Sequence, residues 1–189
     1  MHIYEEITYT KTDFHRQPLE SATYEACHFE DCNFENLSFK NSRFLDCTFV
    51  NCNITLTNLE NTMLQDCRFK GCKMLGLQFH HCNTFNIGFS FDTCVLDHSS
   101  FLGLNIKKTI FRTCRLREVR FENSDLSAVS FDHCDLFGAI FYACNLEKAD
   151  FTTAYAYHLD PERNKIKGAK FAISGLPGLL QQYKINIVE

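Results

Sequence analysis

The sequence predicts an all-β solenoid, in which the chain winds as a four-sided coil around an apolar interior. Every fifth residue from Tyr4 to Phe79 is large and apolar, and after a slip of two residues the pattern runs on from Phe91 to Phe151. A period of five matches neither the 3.6 residues of a helical turn nor the two of a strand. It therefore indicates a repeat architecture.

The residues around each central position describe one side of the coil. All 11 cysteines lie two residues before a central position, which for Cys82 is the slipped Thr84. Where that place is not cysteine it is mostly small or β-branched, and the last place of the unit is often a turn-former, as at Asn36, Asp46 and Gly71. One large and one small inward side chain per five residues indicate one wall, so four walls complete a coil.

The cysteines show the length of a coil. Cys27, Cys47 and Cys67 recur every 20 residues. At a strand spacing of about 4.8 Å, roughly seven coils make a rod on the order of 35 Å long. Because the thiols face inward and their number is odd, we expect reduced, buried cysteines that fill small spaces, rather than disulfides or metal ligands.

Composition favours a non-enzymatic cytoplasmic protein. The net charge is −4, no apolar run is long enough to cross a membrane, and the first residues lack the basic and apolar segments of a secretory signal. No phosphate loop or catalytic motif is present, and an interior filled with Phe and Cys leaves no cleft for a small substrate. We expect no enzymatic activity, cofactor or metal.

The register slip at 83–90 predicts a kink or bulge that divides the rod into two stacks, with Gly88 taking an unusual backbone angle. A structural insertion is favoured over a binding site. The adjacent His80, His81 and Cys82 do not indicate a metal site, because neighbouring side chains on a coil point in different directions.

The sequence divides into a solenoid at 1–158 and a C-terminal cap at 159–189. The repeat returns once at Phe171, a short helix is predicted from Ser174 to Tyr183, and 185–188 read as a strand. This segment either covers the end of its own rod or also pairs with a second copy, which we favour. The candidate homodimer interface is Leu176, Leu179, Leu180, Tyr183, Ile185, Ile187 and Val188.

Two sets of charged residues form the candidate partner-binding surface. The acidic candidates are Glu20, Glu25, Glu30, Asp31, Glu35, Asp46, Glu60 and Asp66. The basic cluster is Lys107, Lys108, Arg112, Arg115, Arg117 and Arg120, which would lie on adjacent walls and neighbouring coils. This basic cluster is either a solvated surface neutralised by nearby acids or a docking patch for an acidic partner.

The five-residue unit resembles the pentapeptide-repeat family over about residues 4–158, which implies a right-handed quadrilateral β-helix. Overall length, the slip, and the segments 159–166 and 179–188 are similar to the topoisomerase-protecting members, namely the Qnr proteins, MfpA and McbG. The resemblance implies a homodimer of rods that imitates duplex DNA, binds DNA gyrase or topoisomerase IV, and protects it from quinolones or peptide toxins. It implies no direct binding to nucleic acid or membranes.

The unbroken register between Phe14 and Phe79 leaves no counterpart of the long loops of many Qnr proteins, so the layout is most similar to McbG-like immunity proteins. Two other functions stay open. One is an interaction scaffold whose target is unrelated to topoisomerase, and the other is an adaptor in an enzyme or channel complex.

Overall fold

The computed structural model describes residues 2–188 as a coil of short parallel strands. The strands are β1 (Ile3–Glu5), β2 (Thr8–Thr10), β3 (Thr23–Glu25), β4 (His28–Glu30), β5 (Arg43–Leu45), β6 (Thr48–Val50), β7 (Met63–Gln65), β8 (Cys67–Lys70), β9 (Phe89–Asp92), β10 (Ile110–Arg112), β11 (Ser130–Asp132), β12 (Asp150–Phe151) and β13 (Lys170–Phe171). The α-helix α1 is Pro177–Leu180, and 3-10 turns lie at Phe79–His81, Ile173–Gly175 and Gln181–Tyr183. No helix in this part of the chain is long and apolar enough to cross a membrane.

Each coil has four walls, which we name after their first inward residues: the Tyr4, Tyr9, Phe14 and Leu19 walls. The Tyr9 wall is a nine-stranded sheet, β2-β4-β6-β8-β9-β10-β11-β12-β13, and the Tyr4 wall begins as the four-stranded sheet β1-β3-β5-β7. The Phe14 and Leu19 walls are ladders of isolated bridges. The predicted quadrilateral β-helix is confirmed, with about eight turns instead of seven, because β13 adds a coil inside the predicted cap segment.

Aromatic rings fill the interior along the whole Tyr9 wall. Consecutive ring centroids are 4.8 to 5.4 Å apart. The rings belong to Tyr9, Phe29, Phe49, Phe69, Phe91, Phe111, Phe131, Phe151 and Phe171. The spacing equals that of paired strands, so the backbone ladder imposes ring stacking that is worth about 0.5–1.5 kcal/mol per pair beyond burial.

Most cysteines and several Thr and Ser residues at the small inward position donate a hydrogen bond to the preceding coil. The Cys47 Sγ lies 3.2 Å from the carbonyl oxygen of Tyr24, and the Thr57 hydroxyl lies 2.8 Å from that of Phe34. Each carbonyl belongs to a central residue one coil earlier, and it would otherwise lack a second partner in the dry interior. All 11 cysteines are free and buried, as predicted, and burial raises the pKa of the Cys47 thiol to about 12.

The corners have left-handed backbone. Asn36, Asp46 and Gly71 have φ angles of 55°, 52° and 64°, so the predicted corner positions are confirmed. Residues less suited to this conformation also occupy corners, such as Leu56 at φ 54° and Lys108 at φ 64°. The stacked neighbours impose this geometry even where the local preference opposes it.

The register slip does not divide the rod, contrary to our expectation. Strands β8 and β9 pair directly, with Phe69 opposite Phe91, so the Tyr9 wall is continuous. The two extra residues leave the Tyr4 wall as a bulge at 84–88, because both flanking walls stay paired. Asn86, and not Gly88, has the positive φ, and the Phe85 side chain is 68% exposed.

The C-terminal segment covers the last coil. The Leu159 amide donates to the carbonyl of Gly178 over 3.0 Å, and Leu179 packs against the core. Gly178 lies so close to Tyr157 that a Cβ would overlap it. The predicted helical stretch is confirmed, but the strand predicted at 185–188 is not formed, because no neighbouring strand is available to it within the described chain.

Candidate interaction surfaces

The C-terminal segment both covers the rod and presents apolar side chains. Of the seven predicted interface residues, Leu179 and Leu180 are half-buried, whereas the others are exposed: Leu176, Tyr183, Ile185, Ile187 and Val188. A groove of about 730 Å³ separates Tyr155 and Tyr157 from Leu180, Ile185 and Ile187. The structure therefore brings the predicted residues together at one end of the rod, where five of them remain exposed.

The eight acidic candidates are distributed over all four walls of the N-terminal half. Glu25 is on the Tyr4 wall, Glu30 on the Tyr9 wall, Glu35 on the Phe14 wall and Glu60 on the Leu19 wall. Glu20 also lies on the Leu19 wall, and Asp31, Asp46 and Asp66 lie at corners with positive φ. The acidic residues therefore surround the rod and do not form a single acidic face.

Half of these carboxylates have partners within the chain. Lys40 contacts Glu60 at 2.9 Å and Arg68 contacts Asp46 at 3.0 Å. Glu20 accepts from the Tyr4 hydroxyl and Glu35 from the Asn53 amide. Among the described residues, no side-chain partner is found for the other four: Glu25, Glu30, Asp31 and Asp66. Of the eight candidates, these four are available to a partner.

The basic cluster does not form one patch, which corrects the expectation from the sequence. Its members follow a single coil around the rod: Lys107 and Lys108 on the Tyr4 wall and its corner, Arg112 on the Tyr9 wall, Arg115 and Arg117 on the Phe14 wall, and Arg120 on the Leu19 wall. Residues 107–120 span less than one 20-residue coil, so they must point to different sides.

The four arginines of this coil are each paired with a carboxylate. Arg115 Nε lies 2.7 Å from Asp97, and Arg117 Nε lies 2.7 Å from Asp135. Both aspartates are buried, and Asp97 also accepts from the Arg117 amide. The remaining pairs are Arg112 with Asp132 and Arg120 with Glu122. Charge at these arginines is therefore largely neutralised, whereas Lys107 and Lys108 have no carboxylate within 4.0 Å in the described chain.

Sequence reasoning missed an apolar patch near the C-terminal end. Phe137 and Tyr155 are exposed on the Phe14 wall, and Ile140 and Tyr142 are exposed on the Leu19 wall across the Gly138 corner. We call these four residues the aromatic patch. The sequence did contain a signal for this patch, because each of the four residues is apolar or aromatic at an outward place of the five-residue unit that is usually polar.

The region before the slip shows no metal-site geometry. Among residues 2–188, no three His, Cys, Asp or Glu side chains are grouped to hold a metal ion. The His80 and His81 rings meet edge to face, and burial lowers the pKa of His80. Burial raises the pKa of the Cys82 thiol to about 12, which opposes the thiolate that a metal requires.

Such a rod, with a solid core and flat outer walls, is a repeat scaffold. Sequence comparison matches residues 22–101 to the profile "Pentapeptide repeat region" and residues 114–152 to "Pentapeptide repeats (8 copies)". The matches together cover more than half of the chain. The protein belongs to the pentapeptide-repeat family.

Solved structures with the same fold include two proteins of different roles. Trypsin-treated QnrB1, a plasmid-mediated fluoroquinolone resistance protein, matches with a TM-score of 0.64 at 18% identity over 100% of this chain and 92% of QnrB1. HetL, involved in heterocyst differentiation regulation in the cyanobacterium Nostoc sp. strain PCC 7120, matches with a TM-score of 0.70 at 14% identity over 92% of this chain and 88% of HetL. No curated protein sequence matches the chain. At these identities the likeness establishes the fold alone.

Proposed function

We propose that this protein is a non-enzymatic cytoplasmic protein that binds DNA gyrase or topoisomerase IV and protects it from a quinolone or a peptide toxin. The observation that carries the proposal is a set of carboxylates on the N-terminal half of the rod that have no side-chain partner among the described residues: Glu25, Glu30, Asp31 and Asp66. QnrB1, which shares the fold over its length, is a fluoroquinolone resistance protein and supports this choice of target.

The physical basis is imitation of duplex DNA. Successive coils hold carboxylates at multiples of about 4.8 Å along the rod. A basic DNA-binding surface accelerates encounter with such a rod through long-range attraction, and this attraction weakens as salt rises. A solid interior supports a binding role over catalysis, since it offers no enclosed site for a substrate. The many free buried thiols agree with a reducing, cytoplasmic environment.

A supercoiling assay with purified gyrase and either a quinolone or a peptide toxin tests this proposal. Added protein should restore supercoiling at micromolar concentration. The variant Glu30→Gln with Asp31→Asn removes two charges that make no side-chain contact, and its protection should require about tenfold more protein, equivalent to about 1.4 kcal/mol. The control is Glu118→Gln with Glu122→Gln, which makes the same charge change in the C-terminal half at carboxylates paired with His98 and Arg120, and which should protect normally. If micromolar wild-type protein neither restores supercoiling nor inhibits gyrase, the proposal is wrong.

We also propose that the C-terminal segments of two copies pair to form a homodimer. The end of the rod is already covered by Leu179 and by the Gly178 contact with Tyr157, yet Ile185, Ile187 and Val188 stay exposed beside the groove. A second copy placed on this end would bury these side chains and fill the groove.

Sedimentation velocity tests the dimer with Ile185→Asp combined with Ile187→Asp. Both side chains are 55% exposed, so in 500 mM NaCl the variant should fold and remain monomeric where the wild type is a dimer. Circular dichroism confirms that the fold is retained. A wild-type protein that sediments as a monomer at 100 µM and physiological salt would contradict this proposal.

The aromatic patch favours a second candidate function, a scaffold for a partner unrelated to topoisomerase. Exposed Phe137 and Tyr155, with Ile140 and Tyr142 around the corner, are typical of protein interfaces and are unlike a phosphate backbone. HetL shows that this fold also occurs in a developmental regulator. Under this function, Phe137→Ser with Tyr155→Ser abolishes capture of the partner, whereas gyrase protection, if present, is unchanged.

A further inference from the structure

The Tyr4 wall carries opposite charges in its two halves. Before the bulge at 84–88, its outward and corner places hold the carboxylates Glu5, Glu6, Glu25, Asp46 and Asp66. After the bulge, the same places hold the ammonium groups Lys107, Lys108, Lys148, Lys165 and Lys167. The exceptions are Arg43 in the acidic half, and Asp125 and Glu147 in the lysine half.

These charges are mostly unneutralised within the chain. In the part that the structure describes, none of the five lysines lies within 4.0 Å of a carboxylate. Of the five acids, Asp46 has such a partner, Arg68 of the neighbouring Tyr9 wall. Lys107, Lys108 and Lys148 instead line a shallow groove of about 300 Å³ with Glu147. The wall is therefore dipolar along the rod, with charges that face solvent.

The bulge lies at the centre of this wall. Four rungs precede it, at β1, β3, β5 and β7. Four rungs follow it, at the bridged residues Asn105, Asp125, Asn145 and Lys165. The two halves belong to one continuous side of the rod because the walls on either side stay paired across the slip, at Phe69–Phe91 and at Gln78–Ser100. Phe85, 68% exposed, stands at the midpoint.

We propose that the Tyr4 wall is an interface between two antiparallel copies of this chain, related by a two-fold axis that crosses the wall at the bulge. We number the four rungs before the bulge one to four and the four after it five to eight. The axis places rung one opposite rung eight of the second copy, and rung four opposite rung five. Side chains at the same place of the five-residue unit form a column along the wall, and each column lies opposite the same column of the second copy. Phe85 then packs against Phe85 of the second copy.

On three of the four rung pairs, this arrangement places opposite charges face to face within one column. Asp66 faces Lys108, which occupies the same corner column, and Lys107 is beside it. Glu5 faces Lys167 on the outermost rung. On the third rung Arg43 faces Asp125. Asp46 of that rung faces Ala128 and stays paired with Arg68. The inversion at Arg43 and Asp125 is what a self-complementary surface requires, since each contact occurs twice about the axis.

One rung departs from the match. Glu25 faces Glu147, with Lys148 at the adjacent corner as the compensating charge. This departure is useful because it predicts a variant that strengthens the contact. Replacing Glu147 with a cation should convert the one like-charged pair into an opposite-charged pair at two places in the dimer.

A second copy explains the wall better than a polyanion does. A nucleic acid or an acidic protein would bind the lysine half but would be repelled by the acidic half, and a parallel copy would place like charges together. Eight rungs at about 4.8 Å by one five-residue side bury on the order of 1,000 Å² in total. That is at the low end for specific interfaces, so the association is reversible and salt-sensitive.

Sedimentation velocity of the full chain tests this interface. The Ile185→Asp, Ile187→Asp variant serves as background, so that the C-terminal contact is absent and the two dimer proposals are distinguished. We expect a monomer–dimer equilibrium in 50 mM NaCl that shifts to monomer in 500 mM NaCl. Glu147→Lys should lower the dissociation constant at least threefold. A monomer at 200 µM in 50 mM NaCl, or weakening by Glu147→Lys, would overturn the proposal.

Reciprocal charge reversal makes the test specific. Lys107→Glu with Lys108→Glu should abolish self-association, because the new carboxylates would face Asp66, and Asp66→Lys should also abolish it. Mixing the two variants should restore a heterodimer, because both contacts again have opposite charges. Lysine is compatible with this corner, since Lys108 and Lys148 have φ angles of 64° and 61°.

Controls separate a specific interface from general charge effects. Lys70→Glu with Lys73→Glu makes the same charge change on the Tyr9 and Phe14 walls, and it should leave the dissociation constant unchanged. Failure of the two reversed variants to form a heterodimer would overturn the proposal. Fluorescence anisotropy with a 24-base-pair nucleic-acid duplex tests the polyanion as the alternative ligand of this wall. If the protein binds the duplex tightly and Lys107→Glu with Lys108→Glu abolishes that binding, the lysines form a polyanion site and the proposed self-association is wrong.

Discussion

The two halves of the Tyr4 wall occupy the same side of the rod but differ in backbone structure. Before the bulge, the strands around Tyr24, Phe44 and Leu64 each lead to a cysteine. After it, Ile106 and Leu126 are not in strands. Instead, the Thr109 amide donates to the Ile106 carbonyl over 3.2 Å, and the Val129 amide to the Leu126 carbonyl over 3.1 Å, which closes a tight turn.

The difference follows the small inward residue. Of the 11 cysteines, all but Cys82 and Cys144 come directly after the corner that ends a strand. Most other residues at this place, such as Thr57, Ser99 and Val129, accompany the turn instead, and Thr12 after β2 is an exception. A thiol that donates to the previous coil accompanies strand pairing, whereas smaller or branched residues accompany the local turn hydrogen bond. The backbone of the Tyr4 wall therefore differs between the two halves, whereas its inward places hold aromatic or aliphatic side chains in both.

The Tyr9 wall is common to both halves, and breaking its ring stack should have the largest effect. Phe111→Ala removes a fully buried ring between Phe91 and Phe131, which are 5.1 and 5.4 Å from it. The free energy of unfolding should fall by about 3–5 kcal/mol. Urea denaturation measures this loss. The matched control is the neighbouring outward residue, Arg112→Ala, which should be close to neutral, and equal losses for both would show that Phe111 is not in the core.

Alkaline pH should destabilise the thiol-rich strand corners next. Burial raises the pKa of the Cys47 thiol from 9.0 to about 12, so its protonated form is favoured by folding. That contribution is fully present below pH 9 and is lost as the pH rises towards 12, by about 2 kcal/mol at pH 10.5. Urea unfolding at pH 8 and pH 10.5 should show the decrease for the wild type and a smaller decrease for Cys47→Ser. An unchanged stability between these pH values would contradict burial of the thiols.

Replacing the donor at a strand corner should have an intermediate effect. Cys47→Ala leaves the Tyr24 carbonyl without its 3.2 Å contact and should lower the free energy of unfolding by about 1–3 kcal/mol. Cys47→Ser keeps a donor and should lower it by less. The same pair of variants at Cys82, for which the structure gives no such donated bond, should differ little. Identical losses for Ala and Ser at Cys47 would show that the hydrogen bond has no role.

The corner conformation should have the smallest effect. Asn51 has a φ of 52°, so Asn51→Ala should cost about 1 kcal/mol and Asn51→Gly should be nearly neutral. Ala128 and Ala143 already occupy equivalent corners in the C-terminal half, where Ala→Gly should stabilise. Thermal denaturation of these variants decides the point, and a stabilising Asn51→Ala would contradict the assigned backbone.

Most of the fold follows from the sequence because inward and corner places are local properties of the five-residue unit. Phe34, Cys67 and Asn36 could be assigned from their position alone. The route of the chain through the slip could not, since it depends on whether distant walls stay paired. The strand predicted at 185–188 failed for a related reason, because a strand needs a neighbouring edge that the sequence does not reveal.

The candidate surfaces were predictable only in part. The apolar C-terminal residues are together because they are adjacent in the chain. The basic cluster is adjacent in the chain as well, but one coil distributes it around the rod and pairs its arginines with Asp97, Asp132 and Asp135 from neighbouring coils. The charge pattern of the Tyr4 wall becomes visible only when residues 20 apart are aligned and the slip is assigned to one wall.

Hydrogen exchange across the bulge tests most directly whether the molecule is one continuous rod. Because β8 and β9 pair through Phe69 and Phe91, their amides should exchange as slowly as those of β6 and β10, through a single global opening. Fast exchange in Cys67–Lys70 and Phe89–Asp92, with slow exchange on both sides, would show two separate stacks and contradict the continuous wall on which the surface assignments depend.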